Sequence, residues 1–548
     1  MSGADLILQA DVVHTLDGHV GATHIAVAGG RVLAVGTADD MAVHVTEHTR
    51  HESFPCGTIM PGWSDNHSHP VWGLEMTAGA RLLEAATLDA VRDALRQDTA
   101  RSGDWIIGWG LDSNVFAGQA RIDGSVFDDI AGGRPLFLRF RDGHSALANS
   151  VALERAGVTG EEQFPGASRI VVDPDGVPTG HLLEMHAMAR VSAFVAQPSI
   201  ADRAKRLRGL LEAMAARGIT SVHALDAMGD PRELCAEIER TGELPLRLRI
   251  SPLLQPGITP EEIARWEQLQ GSGGRRWNVG GVKLMLDGTV EGGTAWLHHP
   301  DTLGEGTEPL WLPPETYREV VLHYVTRGIP TATHAIGDRA VEYALDTLAS
   351  VPPEIRARVT HRIEHIETLE DDTIARMASL GVIASVQPIH ALHLHPDGGD
   401  NWTRRLGAER AARAIPTRAL AEAGVPIVLG SDWPVADFDP FRGFAAAVSR
   451  GERRLAGATT PVPDQSLDRL TALRGYTSTA ALARGDADRA GRIAPGYDAD
   501  LTIVHGDPMT ADAEDLHDLI VLATMVGGDL RRVAQAALAP AAAGGADA

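Results

Sequence analysis

At 548 residues, with 44% hydrophobic and 22% charged residues, the chain has the composition of an ordinary globular protein. A formal charge of −24, from 73 acidic against 49 basic residues, repels phosphate backbones and anionic lipid, which argues against nucleic-acid or membrane partners. Two cysteines, Cys56 and Cys235, lack Cys-x-x-Cys spacing, which excludes a disulfide scaffold or a cysteine zinc cluster and leaves at most one bridge.

The length suggests about three or four domains, fewer if one is a large α/β barrel. The opening "MSGADLILQADVVHTLDG" has no basic leader before an apolar core, and no run of 18 apolar residues suggests a membrane span; a cytoplasmic protein is expected. The first 60 residues look β-rich: "DLILQADVVHT", "HIAVAGGRVLAVG" and "GTIM" are short apolar or alternating runs, with "AGG" as a tight turn. The same texture returns in "GRIAPGYDADLTIVHG" and "DLIVLATMVGGDLRRV". One small β domain built from residues 1–60 and 490–548 is expected, ending in the low-complexity "AALAPAAAGGADA". Residues 76–199 mix the helical "TLDAVRDALRQDTA" with the strand-like "DWIIGWG" and "PLFLRFRDGH", and read as an insertion capping a barrel mouth.

The remainder, 61–75 with 200–489, alternates short apolar runs with helical patterns. After "TIMPGWSDNH" come "GITSVHAL" (218–225), "LRLRISP" (246–252), "GGVKLMLDG" (280–288) and "PTATHAIGD" (330–338). "RIEHIE" (362–367), "VIASVQP" (382–388) and "IVLGSDWP" (427–434) bring the count to eight. Between them, "ADRAKRLRGLLEAMAARG", "PETYREVVLHYVTRG" and "DDTIARMASLG" repeat apolar residues at helical spacing. Eight such units predict an α/β fold of the TIM type, a (β/α)8 barrel whose active site gathers at the C-terminal strand ends.

In "PGWSDNHSHP", His67 and His69 are alternate residues of a strand end and can face one side together. Lys283 lies in the fourth run, His334 ends the fifth, His365 the sixth and Asp432 the eighth. Each follows or lies within an apolar run, where an unpaired polar group is expensive. Their convergence at one barrel mouth predicts a metal site.

The order and spacing of "MPGWSDNHSHP", "DGHSALANSVAL", "DGVPTGHLLE", "KLMLDGTVEGGTA", "HAIGDRAV", "RIEHIE", "SVQP", "GSDWPV" and "GRIAPGYDADLTIV" resemble the metal-dependent amidohydrolase superfamily, specifically amidohydrolase family 3, over nearly the whole chain. The resemblance implies a distorted (β/α)8 barrel, a small β-sandwich from both chain ends, and a homodimer, which is common in the superfamily. It also implies a binuclear centre, with His67, His69 and Asp432 at one divalent ion, His334 and His365 at the second, and Lys283 bridging both as a carbamate. A lysine cation ~4 Å from a divalent ion would be repelled by roughly 8 kcal/mol at an effective dielectric of ~20, whereas a carbamate offers an anionic oxygen. The alternative is that Lys283 pairs with Asp287 or Glu291 and one ion remains. Imidazole and carboxylate donors suit zinc first, and nickel, manganese or iron as well. Asp432 would take the proton of an activated water and hand it to a leaving nitrogen.

The implied reaction is hydrolysis of a C–N bond in a small-molecule amide; the best-matched activity in the family is deformylation of an N-substituted formamide to formate and a primary amine. An adenosine-type deaminase would place a glutamate three residues after the fifth-strand histidine, where this chain has Gly337. Lactonase or phosphotriesterase chemistry uses the same metal pair, and a non-catalytic regulatory descendant is a further alternative, although every expected ligand position is filled. There is no phosphate-binding loop and no Gly-x-Ser-x-Gly elbow. His144, in the insertion, either reaches the site or packs structurally, and His223 is expected to pack. Asp338 and Glu364 are expected to orient neighbours, while His390, His393 and His395 follow the seventh run as substrate contacts or plain surface. Trp72, Trp109 and Trp433, with Phe116 and Trp296, lie near the proposed site loops and suggest an apolar substrate pocket.

Overall fold

Eight parallel strands form the frame of the site. The computed structural model describes residues 3–98, 104–225, 231–394, 398–449 and 464–533, so the low-complexity tail and His395 lie outside the described residues. The strands are β1 (Trp63–Ser68), β2 (Ile219–Ala224), β3 (Arg247–Ile250, resumed at Leu253–Leu254), β4 (Trp277–Val279, resumed at Val282–Met285), β5 (Thr331–Ala335), β6 (Arg362–His365), β7 (Ile383–Val386) and β8 (Ile427–Leu429). Every residue of β1, β2 and β5–β8 is buried, the pattern of a parallel sheet covered on both faces.

Each strand pairs in parallel with the next, from β1 to β8. A parallel bridge between Ser68 and Trp433 ties the end of β1 to the segment leaving β8. β3 and β4 break together: Ser251–Pro252 lies beside Gly280–Gly281, and the ladder resumes with Leu253 opposite Lys283. Gly281 sits at φ +79°, a conformation a side chain rarely adopts. This is a mixed α/β architecture of the TIM type.

The helices between strands bury one stripe each. In Ile200–Ala216, Ser199 caps the first turn by accepting from the Asp202 amide, and Leu207, Leu211 and Met214 face the core at helical spacing. Burial of each such side chain contributes about 1.5–3 kcal/mol. Asp338–Ala349, which follows β5 after two residues, buries Val341, Ala344, Leu345 and Leu348 in the same way.

Both chain ends meet in one seven-stranded sheet, in the order Asp529–Arg532, Val521–Val526, Leu501–His505, Arg50–Pro61, Leu6–Val13, His24–Ala28, Arg31–Gly36. It docks against the start of β1–β3: Thr502 and Thr524 donate hydroxyl bonds to the carbonyls of Gly218 (2.6 Å) and Ala215 (2.7 Å), and Arg247 donates to Asp500 at 2.6 Å. Between β1 and β2 a six-stranded sheet, from Ala80–Arg81 to Pro178–Leu183, is backed by its own apolar cluster around Val91, Leu95, Phe127 and Leu138. Cys56 is exposed and Cys235 buried, and the two are not joined in a disulfide. No helix among the described residues is long and apolar enough to cross a membrane.

Candidate metal centre

The C-terminal ends of the strands carry His67 and His69 (β1 and the residue after it), Lys283 (β4), His334 (β5), His365 (β6) and, three residues past β8, Asp432. All six are buried and line one cavity. The Asp432 carboxylate lies 3.0 Å from His69 Nε2, 3.4 Å from His67 Nε2 and 3.9 Å from His365 Nδ1. Lys283 Nζ lies 3.4 Å from His67 Nε2, and the rings of His334 and His365 stand 4.4 Å apart between centroids. Residues 365 positions apart in the chain therefore meet, and the donor atoms of His67, His365 and Asp432 lie within 4.8 Å of one another.

The outer nitrogens of three rings are already engaged. His67 Nδ1 pairs with Glu364 Oε2 at 2.7 Å, His365 Nδ1 with Gln387 Oε1 at 2.9 Å, and His334 Nε2 with the Gly288 carbonyl at 3.1 Å. Acceptors at those positions fix the tautomer and leave each ring's other nitrogen as a lone-pair donor, the usual support of a metal ligand. His69 Nδ1 and His390 Nε2 are buried polar atoms without a hydrogen-bond partner among the described residues. This donor set of imidazoles and a carboxylate fits a divalent cation.

Burial holds the imidazoles of His67, His334 and His365 neutral, well below the ordinary histidine range, and the cationic neighbours Lys283 (at His67) and His144 (at His334) add to it. Neutral imidazole is the form that binds metal. Burial would raise Asp432, but the facing rings of His67 and His69 outweigh it and hold the carboxyl well below its usual range. Burial pushes Lys283 down to about 8, against the pull of Glu364 and Asp432. Asp287, at the end of β4, is pushed up to about 7 by burial although it accepts from the amides of Gly337, Trp296 and Ile336.

Backbone strain concentrates here. His365, Ile366 and Asp432 have φ of +74°, +55° and +58°, in the region that disfavours L side chains. Gly430 gives β1 room: a Cβ there would lie 2.6 Å from the His67 amide nitrogen. Gly430→Ala is accordingly expected to destabilise the fold by about 1–3 kcal/mol and to lower bound metal, because β1 must retreat. An unchanged melting temperature with full metal content would remove this packing argument.

Of the aromatic candidates, Trp72 lines the cavity beside His69, with ring centroids 5.5 Å apart. Trp109 and Trp433 are not among its lining residues. Trp109 is buried within the insertion sheet, and the Trp433 ring packs over Gly73 and against Phe438. His144 does line the cavity, as do His390 and His393, whereas His223 is buried on β2 and bonds Ser251 at 2.7 Å. Asp338 accepts from the His298 amide at 2.9 Å. Glu184, Gln387, Glu367 and Trp402 carry no assigned role in the sequence reading, although Glu367 ends the sixth run and Gln387 lies at the end of the seventh. Glu367 accepts from Trp402 Nε1 at 2.6 Å.

The sequence profile described as the amidohydrolase family matches residues 57–531. The chain is 29% identical to Protein LONG AFTER FAR-RED 3 of Arabidopsis thaliana, over 96% of this chain and 91% of that protein. It is 26% identical to an N-substituted formamide deformylase of Arthrobacter pascens, over 96% of this chain and 98% of that protein. Among solved structures, an uncharacterized metal-dependent hydrolase from Pyrococcus horikoshii superposes with a TM-score of 0.71 at 23% identity, covering 93% of this chain and 99% of that one.

Proposed function

We propose that this chain, which belongs to the amidohydrolase family, is a metal-dependent hydrolase that cleaves the C–N bond of an N-substituted amide, with N-substituted formamides, giving formate and a primary amine, as the leading substrates. In this reading the eight strands act as a distorted (β/α)8 barrel, with the sheet from both chain ends as a separate small domain and 76–199 as a cap. The observation that carries it is the meeting of four histidines, Lys283 and Asp432 at one end of the strands, with three ring tautomers set for ligation.

His67, His69 and Asp432 would hold one zinc ion, His334 and His365 a second, and a carboxylated Lys283 would bridge them. When bound, such ions supply Lewis acidity and a water acidified to near neutrality. Asp432, kept ionised by the rings around it, would accept a proton at its carboxylate and return it to the leaving nitrogen. His390 Nε2, 3.7 Å from Asp432 Oδ2, flanks the same carboxylate. The cavity wall formed by Trp72, Phe140, Leu253, Met285, Trp402 and Ile415 excludes water from an apolar substituent on the amine side. The formyl preference rests on the relative that carries that name.

Gly337 weighs against the adenosine-type deaminase. A Cβ there would collide with the backbone of Trp296, so the position has no room for a glutamate. The test is a panel of N-benzylformamide, N-benzylacetamide, a lactone and a phosphotriester, following formate and amine release. Formamide turnover that disappears on chelator dialysis and returns with zinc is the expected result. Turnover of only the lactone or phosphotriester would overturn the amide reading, and activity that survives complete metal removal would overturn metal dependence.

A further inference from the structure

Behind His67 lies a buried guanidinium that none of the ligand positions requires. Arg362 and Glu364 are alternate residues of β6 and share one face of the strand. Arg362 Nε forms an ion pair with Glu364 Oε1 at 2.6 Å, while Glu364 Oε2 takes His67 Nδ1 at 2.7 Å. Arg362 Nη2 also donates to the Asn66 carbonyl at 2.8 Å. Asn66 is on β1, and β7 and β8 lie between β6 and β1 in the ladder, so this bond spans the barrel interior. Its acceptor sits in an irregular stretch: Asp65 pairs with Val222 and Ser68 with Ala224, so β1 carries one residue more than β2 across Asn66 and His67. Bulges of this kind re-aim a side chain and are common beside active sites. Asn66 Nδ2 donates to the Leu429 carbonyl at 2.9 Å, which ties the bulge to β8 as well. A buried ion pair is a weak source of stability, and Arg362 Nη1 is buried with no hydrogen-bond partner among the described residues. Packing alone does not call for such a group.

We propose that Arg362 is a positioning residue of the metal centre: it grips the β1 bulge and the Glu364 carboxylate together, and so fixes both where the His67 ring starts and which way it points. The inference rests on the metal-dependent reading above. His67 Nε2, the nitrogen left open by Glu364, stands 3.4 Å from Asp432 Oδ1 and 3.4 Å from Lys283 Nζ, so a small swing of the ring would carry it off that meeting point. The carboxylate alone holds the ring at one atom, and the bulge alone leaves the ring free to turn. One guanidinium joins the two restraints because its nitrogens form a rigid planar fork. A lysine ammonium is a single point on a flexible stem and would meet one partner at a time.

The experiment measures zinc affinity of the full chain by chelator competition, with the visible absorption of the cobalt-loaded chain as a second readout. Arg362→Met is expected to weaken zinc binding by about 10–100-fold, the range for loss of an outer-shell partner, and to change the cobalt spectrum. Arg362→Lys should recover only part of the affinity. Glu364→Gln should weaken binding as well, and the Arg362→Met/Glu364→Gln double variant should lose less than the product of the two single losses, because both act through one ring. The double variant removes both buried charges together and serves if Arg362→Met folds poorly. Melting temperatures of the metal-free chains report any loss of fold separately. Wild-type zinc affinity in Arg362→Met, full recovery in Arg362→Lys, single losses that multiply, or a lower melting temperature with an unchanged cobalt spectrum would overturn the proposal. If the wild type binds zinc yet hydrolyses no amide, the amide reading alone fails; if it takes up no divalent metal, the metal-dependent reading falls and this role with it.

Discussion

Asp432→Asn is expected to lower kcat by about 10²–10⁴-fold while leaving the fold intact, the range associated with loss of a general base. The substitution is nearly isosteric, and asparagine tolerates the left-handed backbone that this position requires at φ +58°. The amide nitrogen of residue 432 would keep its 2.7 Å bond to the His67 carbonyl, so the link between β1 and β8 survives. What disappears is the charge. The carboxylate now faces His69 at 3.0 Å and His67 at 3.4 Å, and no neutral amide can take up a proton there. Metal content should fall less than activity, because the imidazole donors remain. Turnover, bound metal and melting temperature measured on one preparation separate these effects. Wild-type kcat at full metal occupancy would remove Asp432 from the chemistry.

The strands that hold this site are legible mainly as short β-branched or apolar runs that carry a polar residue near the C-terminal end. "TATHA" and "RIEH" appear in the structure as Thr331–Ala335 and Arg362–His365, inside the stretches expected from the sequence. The observed strands stop sooner than the sequence runs: His365, at positive φ, is the last paired residue of β6, and Ile366 and Asp432, also at positive φ, lie beyond the ladder. The joint break of β3 and β4 at Pro252 and Gly280–Gly281 was not foreseen, although both breaks sit on residues that disfavour a continuous ladder. Strand Arg50–Pro61 is recognisable only from "GTIM": its first half, "RHESFP", is mostly polar and exposed, with Phe54 alone buried. The second layer around the metal centre was the least visible. Gln387 and Glu184 touch their histidines through pairing between segments 22 and 40 residues apart, which neither local spacing nor hydrophobic period encodes.

Lys283→Ala is expected to lower bound metal and to cost at least roughly 100-fold in activity. Loss of an outer-shell partner alone weakens metal affinity by about 10–100-fold, and a bridging ligand should matter more. The chemistry favours a bridge at this lysine over a free cation. Lys283 is 1% exposed with Nζ 3.4 Å from His67 Nε2, beside the donors of a site that attracts positive ions. Burial pushes its ammonium down to about 8, so more of it is free amine near neutral pH than in an ordinary lysine. The free amine adds to carbon dioxide, forming the N–C bond and releasing one proton, and the product turns a repelled cation into an anionic oxygen donor. Formate or acetate, small enough for the space vacated in Lys283→Ala, should restore part of the metal content and part of the activity. Binuclear occupancy without Lys283 and without added carboxylate would show that the histidines and Asp432 hold both ions unaided, and the lysine would then be a buried cation stabilised by Glu364 and Asp432.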